Sequence, residues 1–414
     1  MNKANKHVLY LSYDGMTDPL GQSQVLPYLI NLAAQGGYNF TILSFEKPDK
    51  YQKYKTLIES ICSDHGIEWV PLAYTKNPPV FSTIYDVVKL KRKAEEIYLK
   101  KPYVLVHARG AYMTSLVALD LKRKFNVKYI FDMRGFWADE RIDGNLWKLS
   151  NPLFKTIYLF FKKKEKDFLE NADEVITLTH AAQEEIHSWR NISNNPVHIS
   201  VIPCCVDMEK FSQSKVDTVL KEKLKAELNL KDADYILSYL GSLGTWYMLE
   251  EMLDFFRVLL TKKSNAKLLF VTNDPEEGIM SKVAAKGIDK NTVIIVHSSF
   301  EKVPTYISLS DASIFFIKPA YSKKGSSPIK QGELMSMGIP VVCNSNVGDT
   351  DWIVRKYHSG IVVDTFDTVG YEKAVSELLV HDFNHTAIID GATDYFSLEV
   401  GVKEYMDVYK KLLD

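Results

Sequence analysis

Two residues of complementary charge, Lys330 and Glu333, stand three positions apart beside a predicted helix start. The start is indicated by Ser327 and Pro328, because serine caps free backbone amides and proline loses nothing through its missing N–H in a first helical turn. The helix is therefore expected to begin at Pro328, with Lys330 in its first turn. A spacing of three residues places Glu333 on the same face of that helix.

This arrangement favours an anionic ligand. A cation in the first turn faces the positive end of the helix dipole and is slightly unfavourable there. A bound anion would make the electrostatic energy of the lysine favourable. Free amides, a lysine and a carboxylate at one place match a nucleotide diphosphate and its ribose diol. The alternative is a surface loop in which Lys330 and Glu333 pair in solvent, an interaction of little energy.

The elements that position this site are predicted from alternating strand and helix patterns, which form two series. Strands of the first series are predicted at 7–13, 39–44, 68–71, 103–107, 128–132 and 174–177, with helices among them at 84–100, 111–125 and 152–170. Strands of the second series are predicted from residue 235 and at 267–274, 293–299, 312–319, 339–344 and 360–364. A glycine turn follows the first strand of each series, at Gly15 and Gly21 and again at Gly241 and Gly244. This order predicts two parallel sheets, each covered by helices on both faces.

The two series define two α/β domains of ordinary size, residues 1–206 and 207–396, joined through the polar stretch 207–234. A last helix is predicted within 397–414, and its own pattern does not indicate which domain it packs on. Ligands of parallel sheets bind beyond the carboxyl ends of the strands, where both glycine turns and the segment 318–333 are expected. We therefore expect the two domains to face each other across a cleft that contains the site.

Composition narrows the class of protein. With 46% hydrophobic and 25% charged residues among 414, the chain is globular, and a net charge of −1 gives no reason to expect nucleic acid as a partner. Residues 1–200 hold 27 Lys and Arg against 22 Asp and Glu, so the first half is the better suited to an anionic partner.

The four cysteines form neither a CxxC motif nor a His/Cys cluster, which argues against a zinc site or a disulfide framework. No stretch has the character of a signal peptide or a membrane span, and a cytoplasmic protein is expected.

Seven segments, in the order in which they occur, resemble the pattern of glycosyltransferase family 4, which has the GT-B fold. They are DGMTDPLGQSQVLPYL, LVHARGAY, KYIFDMRGFWADE, DEVITLT, VIPCCVDMEKF, SYLGSLGTWYMLEEML and SSPIKQGELMSMGIPVV. The resemblance extends from about Val8 to the end of the chain. Its most specific part is the motif PxKxxE with the strand entry that follows it, here Pro328, Lys330, Glu333, Gly338 and Pro340.

The resemblance implies an α/β protein of the GT-B fold, with two Rossmann-like domains facing across a cleft. It implies transfer of a sugar from a nucleotide-diphosphate-sugar, with retention of anomeric configuration and without a metal or a further cofactor. The acceptor would be a glycan or a lipid-linked molecule in the assembly of a bacterial surface polysaccharide or lipopolysaccharide. The first domain would bind the acceptor, the second domain would bind the donor, and the closing helix would return to the first domain.

By position, the resemblance assigns Glu333 to the ribose hydroxyls and Lys330 to the diphosphate. Ser326 and Ser327 would offer amides or hydroxyls to the phosphates. Positive groups at this place would stabilise the charge that builds on the departing phosphate, which makes Lys330 the main catalytic candidate. Gly325 stands where family members commonly carry a glutamate that touches the transferred sugar.

The glycine turns receive roles in the same way. Gly241 and Ser242 would form the turn that the diphosphate approaches from the other side, and Gly21 would lie in an N-terminal loop that closes over the donor. The turn GSLGTW lacks the GxGxxG spacing of dinucleotide-binding proteins, which argues against a dinucleotide-dependent oxidoreductase. A nucleotide-sugar 2-epimerase of the same fold is the main alternative function.

Three further candidates lie in the first half. Asp132 and Arg134 stand where many family members have a histidine; Arg134 could hold a phosphate or an acceptor anion, and Asp132 could orient a sugar hydroxyl. His107 ends a predicted strand and could act as an acceptor-side general base, because its free pKa is near neutral. A structural histidine at a strand end fits His107 equally well.

The segment 146–168 mixes aromatic residues with lysines at helical spacing. It could rest on an anionic membrane, where lipid-linked acceptors lie. A core-facing helix with a lysine-rich outer face is the favoured interpretation. The expected location is therefore the cytoplasm, with peripheral contact at the inner membrane surface as the alternative.

Overall fold

The computed structural model describes residues 6–192, 194 and 196–413. The chain divides into two compact units. The first unit comprises the chain up to Pro203 together with the segment from Leu398 onward, and the second unit comprises Cys204–Ser397. No described helix combines the length and the apolar character that a membrane crossing requires.

The first unit is built on a parallel sheet. Its described strands are β1 (His7–Ser12), β2 (Asn39–Glu46), β3 (Glu68–Ala73), β4 (Leu105–Arg109), β5 (Lys128–Asp132), β6 (Glu174–Thr177) and β7 (Ile199–Val201). They lie in the order β3-β2-β1-β4-β5-β6-β7. Strands β1 and β4 are buried throughout, as expected of central strands covered on both faces. The chain reverses its direction of winding between β1 and β4, which creates the switch point where such sheets bind ligands.

Helices cover this sheet. They are α1 (Pro19–Gln24), α2 (Leu26–Gly36), α3 (Pro48–Asp64), α4 (Phe81–Lys100), α5 (Tyr112–Phe125), α6 (Trp137–Asp143), α7 (Pro152–Asn171), α8 (His180–Ser188) and α17 (Leu398–Leu413). The last helix packs on α2, where the ring centroids of Tyr28 and Tyr405 are 5.2 Å apart. Helix α17 is therefore part of the first unit although it is the last element of the chain.

The second unit repeats the design. Its described strands are β8 (Tyr235–Leu240), β9 (Ala266–Val271), β10 (Val293–Val296), β11 (Ala312–Phe315), β12 (Val341–Asn344) and β13 (Gly360–Val363). Its helices are α9 (Thr218–Glu227), α10 (Leu249–Lys262), α11 (Glu276–Ala285), α12 (Val303–Ile307), α13 (Ile329–Ser336), α14 (Thr350–Tyr357), α15 (Thr368–Val380) and α16 (His385–Phe396). The parallel order β10-β9-β8-β11-β12-β13 places the switch point between β8 and β11.

The predicted fold class is confirmed, since both units are α/β with a Rossmann strand order. Two of the elements that were not predicted are β7, which has only three residues, and α9, which lies in the polar stretch interpreted as a joint. Helix α9 buries a single residue, Leu224, so its sequence carries almost no apolar periodicity.

Candidate functional site

The turn after β8 is fixed by backbone and side-chain hydrogen bonds. Gly241 has φ of +95°, a conformation that favours glycine because it has no Cβ. Its N–H donates to the carbonyl of Val271 at 2.9 Å. The carboxylate of Asp274 accepts from the Ser242 hydroxyl at 2.9 Å and from the Leu243 amide at 2.6 Å. The turn is therefore held in one shape at the carboxyl edge of the sheet.

Lys330 reaches this turn from α13. Its Nζ donates to the hydroxyl of Tyr239 at 3.0 Å and lies over the rings of Tyr239 and Tyr247, 4.2 and 3.5 Å from their centroids. A Cβ on Gly241 would stand 3.5 Å from the same Nζ, in ordinary van der Waals contact, so the ammonium group lies directly beside the glycine turn. The Tyr239 hydroxyl in turn donates to the carbonyl of Ser242 at 2.8 Å. Tyr239 thereby connects the lysine with the glycine turn.

The environment of Lys330 is unusual for a lysine. The residue is only 8% exposed, and burial lowers the pKa of Lys330 to about 7, although the carboxylates of Glu333 and Asp274 oppose the shift. Cation–π contacts with two tyrosines partly replace the lost hydration. A group of this kind gains its full charge most readily when an anion binds beside it.

Glu333 lies one turn further along α13 and is half-buried. Burial raises the pKa of its carboxyl group to about 7, and the nearby Lys330 opposes the shift. Within the described residues, the Glu333 carboxylate has neither a hydrogen bond nor an ion pair. The alternative in which Lys330 and Glu333 pair in solvent is therefore wrong, because the lysine is buried and the two groups make no ion pair.

The start of α13 differs from the prediction. The helix begins at Ile329, and Pro328 is the N-cap residue with an extended ψ of 116°. Ser327 does not cap the helix, because its hydroxyl accepts the amide N–H of Cys204 at 3.2 Å. The amide of Ser326 is also engaged, since it donates to the carbonyl of Lys323 at 3.1 Å. Among the described residues, the hydroxyl of Ser326 and the backbone amide of Ser327 have no hydrogen-bond partner.

Several residues of this site were missed by sequence reasoning. Tyr239 stands two residues before Gly241 in its strand, and Asp274 follows the neighbouring strand β9, so both lie at the carboxyl edge. That common edge is a signal that could have found Asp274. Lys323 and Trp246 form a further contact, with the lysine Nζ 3.6 Å from the ring centroid. No pattern in the sequence indicates this pair.

The candidates of the first unit meet at α17. The Asp132 carboxylate accepts from the Tyr405 hydroxyl at 3.0 Å and lies 3.3 Å from Nε2 of His107. Nδ1 of His107 lies 2.8 Å from the Tyr409 hydroxyl. The guanidinium of Arg134 donates to the Tyr405 hydroxyl at 3.4 Å, and its Nε is 3.9 Å from the second oxygen of Asp132. The three predicted residues are thus brought together, and the last helix holds them.

Burial sets the protonation of this cluster. Burial lowers the pKa of His107, and the hydrogen bond with Asp132 only partly offsets it. Burial would raise the pKa of Asp132, but Arg134 and His107 outweigh it and leave the pKa lowered. His107 and Asp132 are 1% and 0% exposed, which favours a structural role for both over direct contact with an acceptor. Arg134 is half-buried, and it adopts φ of +52°.

Gly21 does not lie in a loop. It is a buried residue of α1, and a Cβ at this position would approach the carbonyl oxygen of Gly15 to 2.3 Å. The prediction that Gly21 lies in an N-terminal loop is wrong, because Pro19 begins a helix that brings Gly21 against the preceding turn. Glu46, which sequence reasoning missed, accepts hydrogen bonds from the amides of Met16 and Thr17 in that turn.

Comparison with known structures shows the fold. A glycosyltransferase from Rickettsia africae matches with a TM-score of 0.72 at 14% identity, covering 100% of both chains. Anabaena Alr3699/HepE in complex with UDP and glucose matches with a TM-score of 0.67 at 14% identity, over 98% of this chain and 100% of that chain. The lipopolysaccharide outer core galactosyltransferase WaaB has a TM-score of 0.65 at 14% identity, with the same coverage. At such identities the likeness extends to the fold alone.

Comparison with protein families is more specific. The curated protein sequences include no match to this chain. The family model described as Glycosyltransferase Family 4 matches residues 20–210, and the model described as Glycosyl transferases group 1 matches residues 221–392. The two matches follow each other along the chain and fall on the two parallel sheets. The chain therefore belongs to the glycosyltransferases of the GT-B type, with a family 4 N-terminal part and a group 1 C-terminal part.

Proposed function

We propose that this glycosyltransferase moves a sugar from a nucleotide-diphosphate-sugar to a glycan or lipid-linked acceptor, with retention of anomeric configuration. The second unit binds the donor. The observation that carries this proposal is the placement of the Lys330 ammonium beside the Gly241 turn, at the switch point of the second sheet. The structures of HepE with UDP and with UDP-glucose support a nucleotide-sugar as donor.

The chemistry of transfer follows from charge. As the bond between sugar and diphosphate breaks, negative charge builds on the diphosphate, and a cation fixed in a desolvated place stabilises that charge more strongly than one in water. Lys330 is such a cation, because two tyrosine rings enclose it and the Tyr239 hydroxyl holds its Nζ. A diphosphate bound beside it raises its pKa, so that the ammonium is fully charged in the transition state.

Glu333 binds the ribose. A carboxylate accepts hydrogen bonds from two neighbouring hydroxyls, and the Glu333 carboxylate is half-buried without a partner among the described residues. Its negative charge becomes more favourable when the ribose hydroxyls donate to it. Lys330 therefore binds the diphosphate of the nucleotide, and Glu333 binds its ribose.

The first unit binds the acceptor, and Arg134 contacts an anionic group of it. Asp132 and His107 act through Arg134 as positioning residues, because both are buried, Tyr405 joins Asp132 to the guanidinium, and His107 lies within hydrogen-bond distance of Asp132. We further propose that the product belongs to a bacterial surface polysaccharide or lipopolysaccharide made in the cytoplasm. The likeness to a lipopolysaccharide galactosyltransferase supports this role.

The test is an assay of wild-type protein and Glu333→Ala with a panel of nucleotide-sugars, followed by NMR of the product anomer. We expect one nucleotide-sugar to be consumed by the wild type only in the presence of an acceptor, with retained configuration, and the variant to lose most of this turnover. Unchanged turnover in the variant would remove Glu333 from the mechanism. Interconversion of the sugar with donor alone would indicate a nucleotide-sugar 2-epimerase instead.

A further inference from the structure

Lys323 is a second buried lysine at the edge of the second sheet where Lys330 lies. It is only 6% exposed, and its Nζ lies 3.6 Å from the centroid of the Trp246 ring. A cation–π contact of this kind offsets part of the hydration that a buried ammonium group loses. A lysine is rarely buried to this degree unless a negative charge accompanies it. The position of Lys323 therefore favours an anionic group beside it.

The backbone holds Lys323 in one place. Its carbonyl accepts hydrogen bonds from the amide of Ser326 at 3.1 Å and from the amide of Gly348 at 2.8 Å. The ring that faces the lysine is fixed as well, because the carbonyl of Trp246 accepts from the amide of Lys318 at 2.9 Å. The ammonium group and its aromatic partner are therefore preorganised, which lowers the entropic cost of binding a ligand there.

Lys323 and Lys330 lie against neighbouring rings of one segment. Trp246 and Tyr247 follow each other between β8 and α10; the Trp246 ring holds Lys323, and the Tyr247 ring holds Lys330 with its Nζ 3.5 Å from the centroid. Lys323 itself belongs to the short 3₁₀ helix Tyr321–Gly325, which follows β11 and precedes α13. Both lysines are thus at the switch point between β8 and β11, and each has an aromatic partner of its own.

The proposed donor has a direction along α13. Glu333 binds its ribose, and Lys330, about one turn earlier, binds its diphosphate, so the nucleotide extends towards the start of the helix. The next part of the donor is the transferred sugar. It therefore lies beside the segment that precedes α13, and this segment contains Lys323.

The charge of that segment is positive throughout. From residue 318 to 330 the chain has four lysines and no acid. The diphosphate already has Lys330 and the main chain of the Gly241 turn as partners, so a further buried cation beside the sugar suits a sugar with a negative charge of its own.

We infer that the donor is a nucleotide-diphosphate-activated uronic acid, and that Lys323 binds the carboxylate of its sugar. This inference rests on the proposed function and names the substrate class of the same site. A neutral hexose has a CH₂OH group in place of the carboxylate, and that group attracts an ammonium ion much less strongly. Lys323 is thereby a specificity-determining residue, which distinguishes an acidic sugar from its neutral counterpart.

The experiment is calorimetric binding of matched nucleotide-sugars to the full chain, without an acceptor. The pairs are UDP-glucuronate with UDP-glucose, UDP-galacturonate with UDP-galactose, and GDP-mannuronate with GDP-mannose, and the members of each pair differ only in the carboxylate. The variants are Lys323→Met and Lys323→Gln, which remove the charge and keep most of the side-chain volume. The matched control is Lys356→Met, because Lys356 also lies over a tryptophan ring, 4.9 Å from the centroid of Trp352, at an exposed place on α14.

We expect the wild type and Lys356→Met to bind the acidic member of one pair about tenfold or more tightly than its neutral counterpart. Both Lys323 variants should bind the two members about equally. They should keep the wild-type affinity for the neutral member, which also shows that they are folded.

Three results would overturn the inference. Equal affinity of the wild type for both members of every pair does so without the use of any variant, and it leaves the proposed function intact. Equal weakening of both members in the Lys323 variants would mean that the lysine contacts the diphosphate instead of the sugar. Binding of none of the six nucleotide-sugars by the wild type would remove the inference together with the proposed donor site.

Discussion

The Nζ of Lys330 lies 3.5 Å from the point at which a Cβ on Gly241 would stand. The lysine and the glycine turn therefore form one continuous surface, with a cation on one side and a bare backbone on the other. A diphosphate requires both features, because its oxygens must approach a positive charge and main-chain groups at the same time.

Gly241→Ala tests this surface, with Gly244→Ala as its matched control. Both glycines have positive φ, at +95° and +49°, so each alanine should cost about 1–2 kcal/mol of stability through backbone strain. Only the alanine at 241 stands beside Lys330, because a Cβ on Gly244 meets nothing within 4 Å. We expect binding of the nucleotide-sugar that the panel assay identifies as donor, measured by calorimetry, to weaken about tenfold or more in Gly241→Ala alone. Equal weakening in both variants would mean that strain, and not contact, explains the loss.

Tyr239→Phe removes the hydroxyl that joins Lys330 to Ser242. The variant loses one buried and one partly buried hydrogen bond, so we expect a loss of about 1–2 kcal/mol in the free energy of unfolding and a several-fold weaker donor affinity. The control is Tyr371→Phe, whose buried hydroxyl has no hydrogen-bond partner among the described residues. That variant should lose little stability and no affinity. A normal donor affinity in Tyr239→Phe would show that the tyrosine does not position the lysine.

Lys330→Met is expected to make the protein more stable and inactive. Because burial lowers the pKa of Lys330 from 10.5 to about 7, the folded state binds fewer protons than the unfolded state between these values, and stability rises with pH across this window. Below pH 7 the buried ammonium group therefore lowers the free energy of unfolding by its full amount. The variant should exceed the wild type by about 1–3 kcal/mol at pH 7, and the difference should shrink towards pH 10.

Under the proposed mechanism, the activity of Lys330→Met should fall by about 10²–10³-fold, since that mechanism makes Lys330 the main cation beside the leaving diphosphate. Lys318→Met, at an exposed lysine ahead of the same helix, is the control and should change neither the stability nor the transfer activity. Denaturant unfolding at several pH values and a transfer assay measure the two effects. A variant that is no more stable than the wild type at pH 7 would contradict the burial of the lysine.

The position of Lys330 and Glu333 could be predicted from sequence, and their environment could not. Local spacing places both residues on one face of α13, and that part needs no tertiary information. The burial of Lys330 depends on Tyr239 and Tyr247, which come from β8 and the turn after it and are distant in sequence, Tyr239 by 91 residues. Ser327 was misassigned for a similar reason, because its hydroxyl partner, Cys204, is distant in sequence.

The sheets were predicted well because their strands are buried on both faces and read as continuous apolar runs. The last helix illustrates the opposite case. Its amphipathic pattern predicts a helix but does not indicate which surface it covers, so the contacts of Tyr405 and Tyr409 with the Asp132 cluster were not foreseen. Residues that are joined across nearly 300 positions leave no local signal in a single sequence.

Glu333→Gln tests the second half of the site through its pH dependence. Because burial raises the pKa of Glu333 from 4.5 to about 7, the folded state binds more protons than the unfolded state between these values, and stability falls as pH rises through this window. The uncharged glutamine removes that slope. We expect the variant to be about 1–2 kcal/mol more stable than the wild type at pH 7 and no more stable at pH 4.5. Glu372→Gln, at an exposed position, is the control, and a wild-type slope in Glu333→Gln would contradict the assignment.

Asp132→Asn tests the cluster of the first unit. The carboxylate accepts from His107 and Tyr405 and faces Arg134, so its neutralisation leaves a partly buried guanidinium without its counter-charge. We expect a loss of about 2–4 kcal/mol in the free energy of unfolding and a strong loss of transfer, because Arg134 is no longer positioned. Donor binding should be unchanged, since the proposed donor residues Lys330 and Glu333 lie in the second unit. The control Asp120→Asn removes an exposed pair with Lys91 and should cost about 0.5 kcal/mol or less. Full transfer activity in a folded Asp132→Asn protein would mean that the cluster serves stability alone.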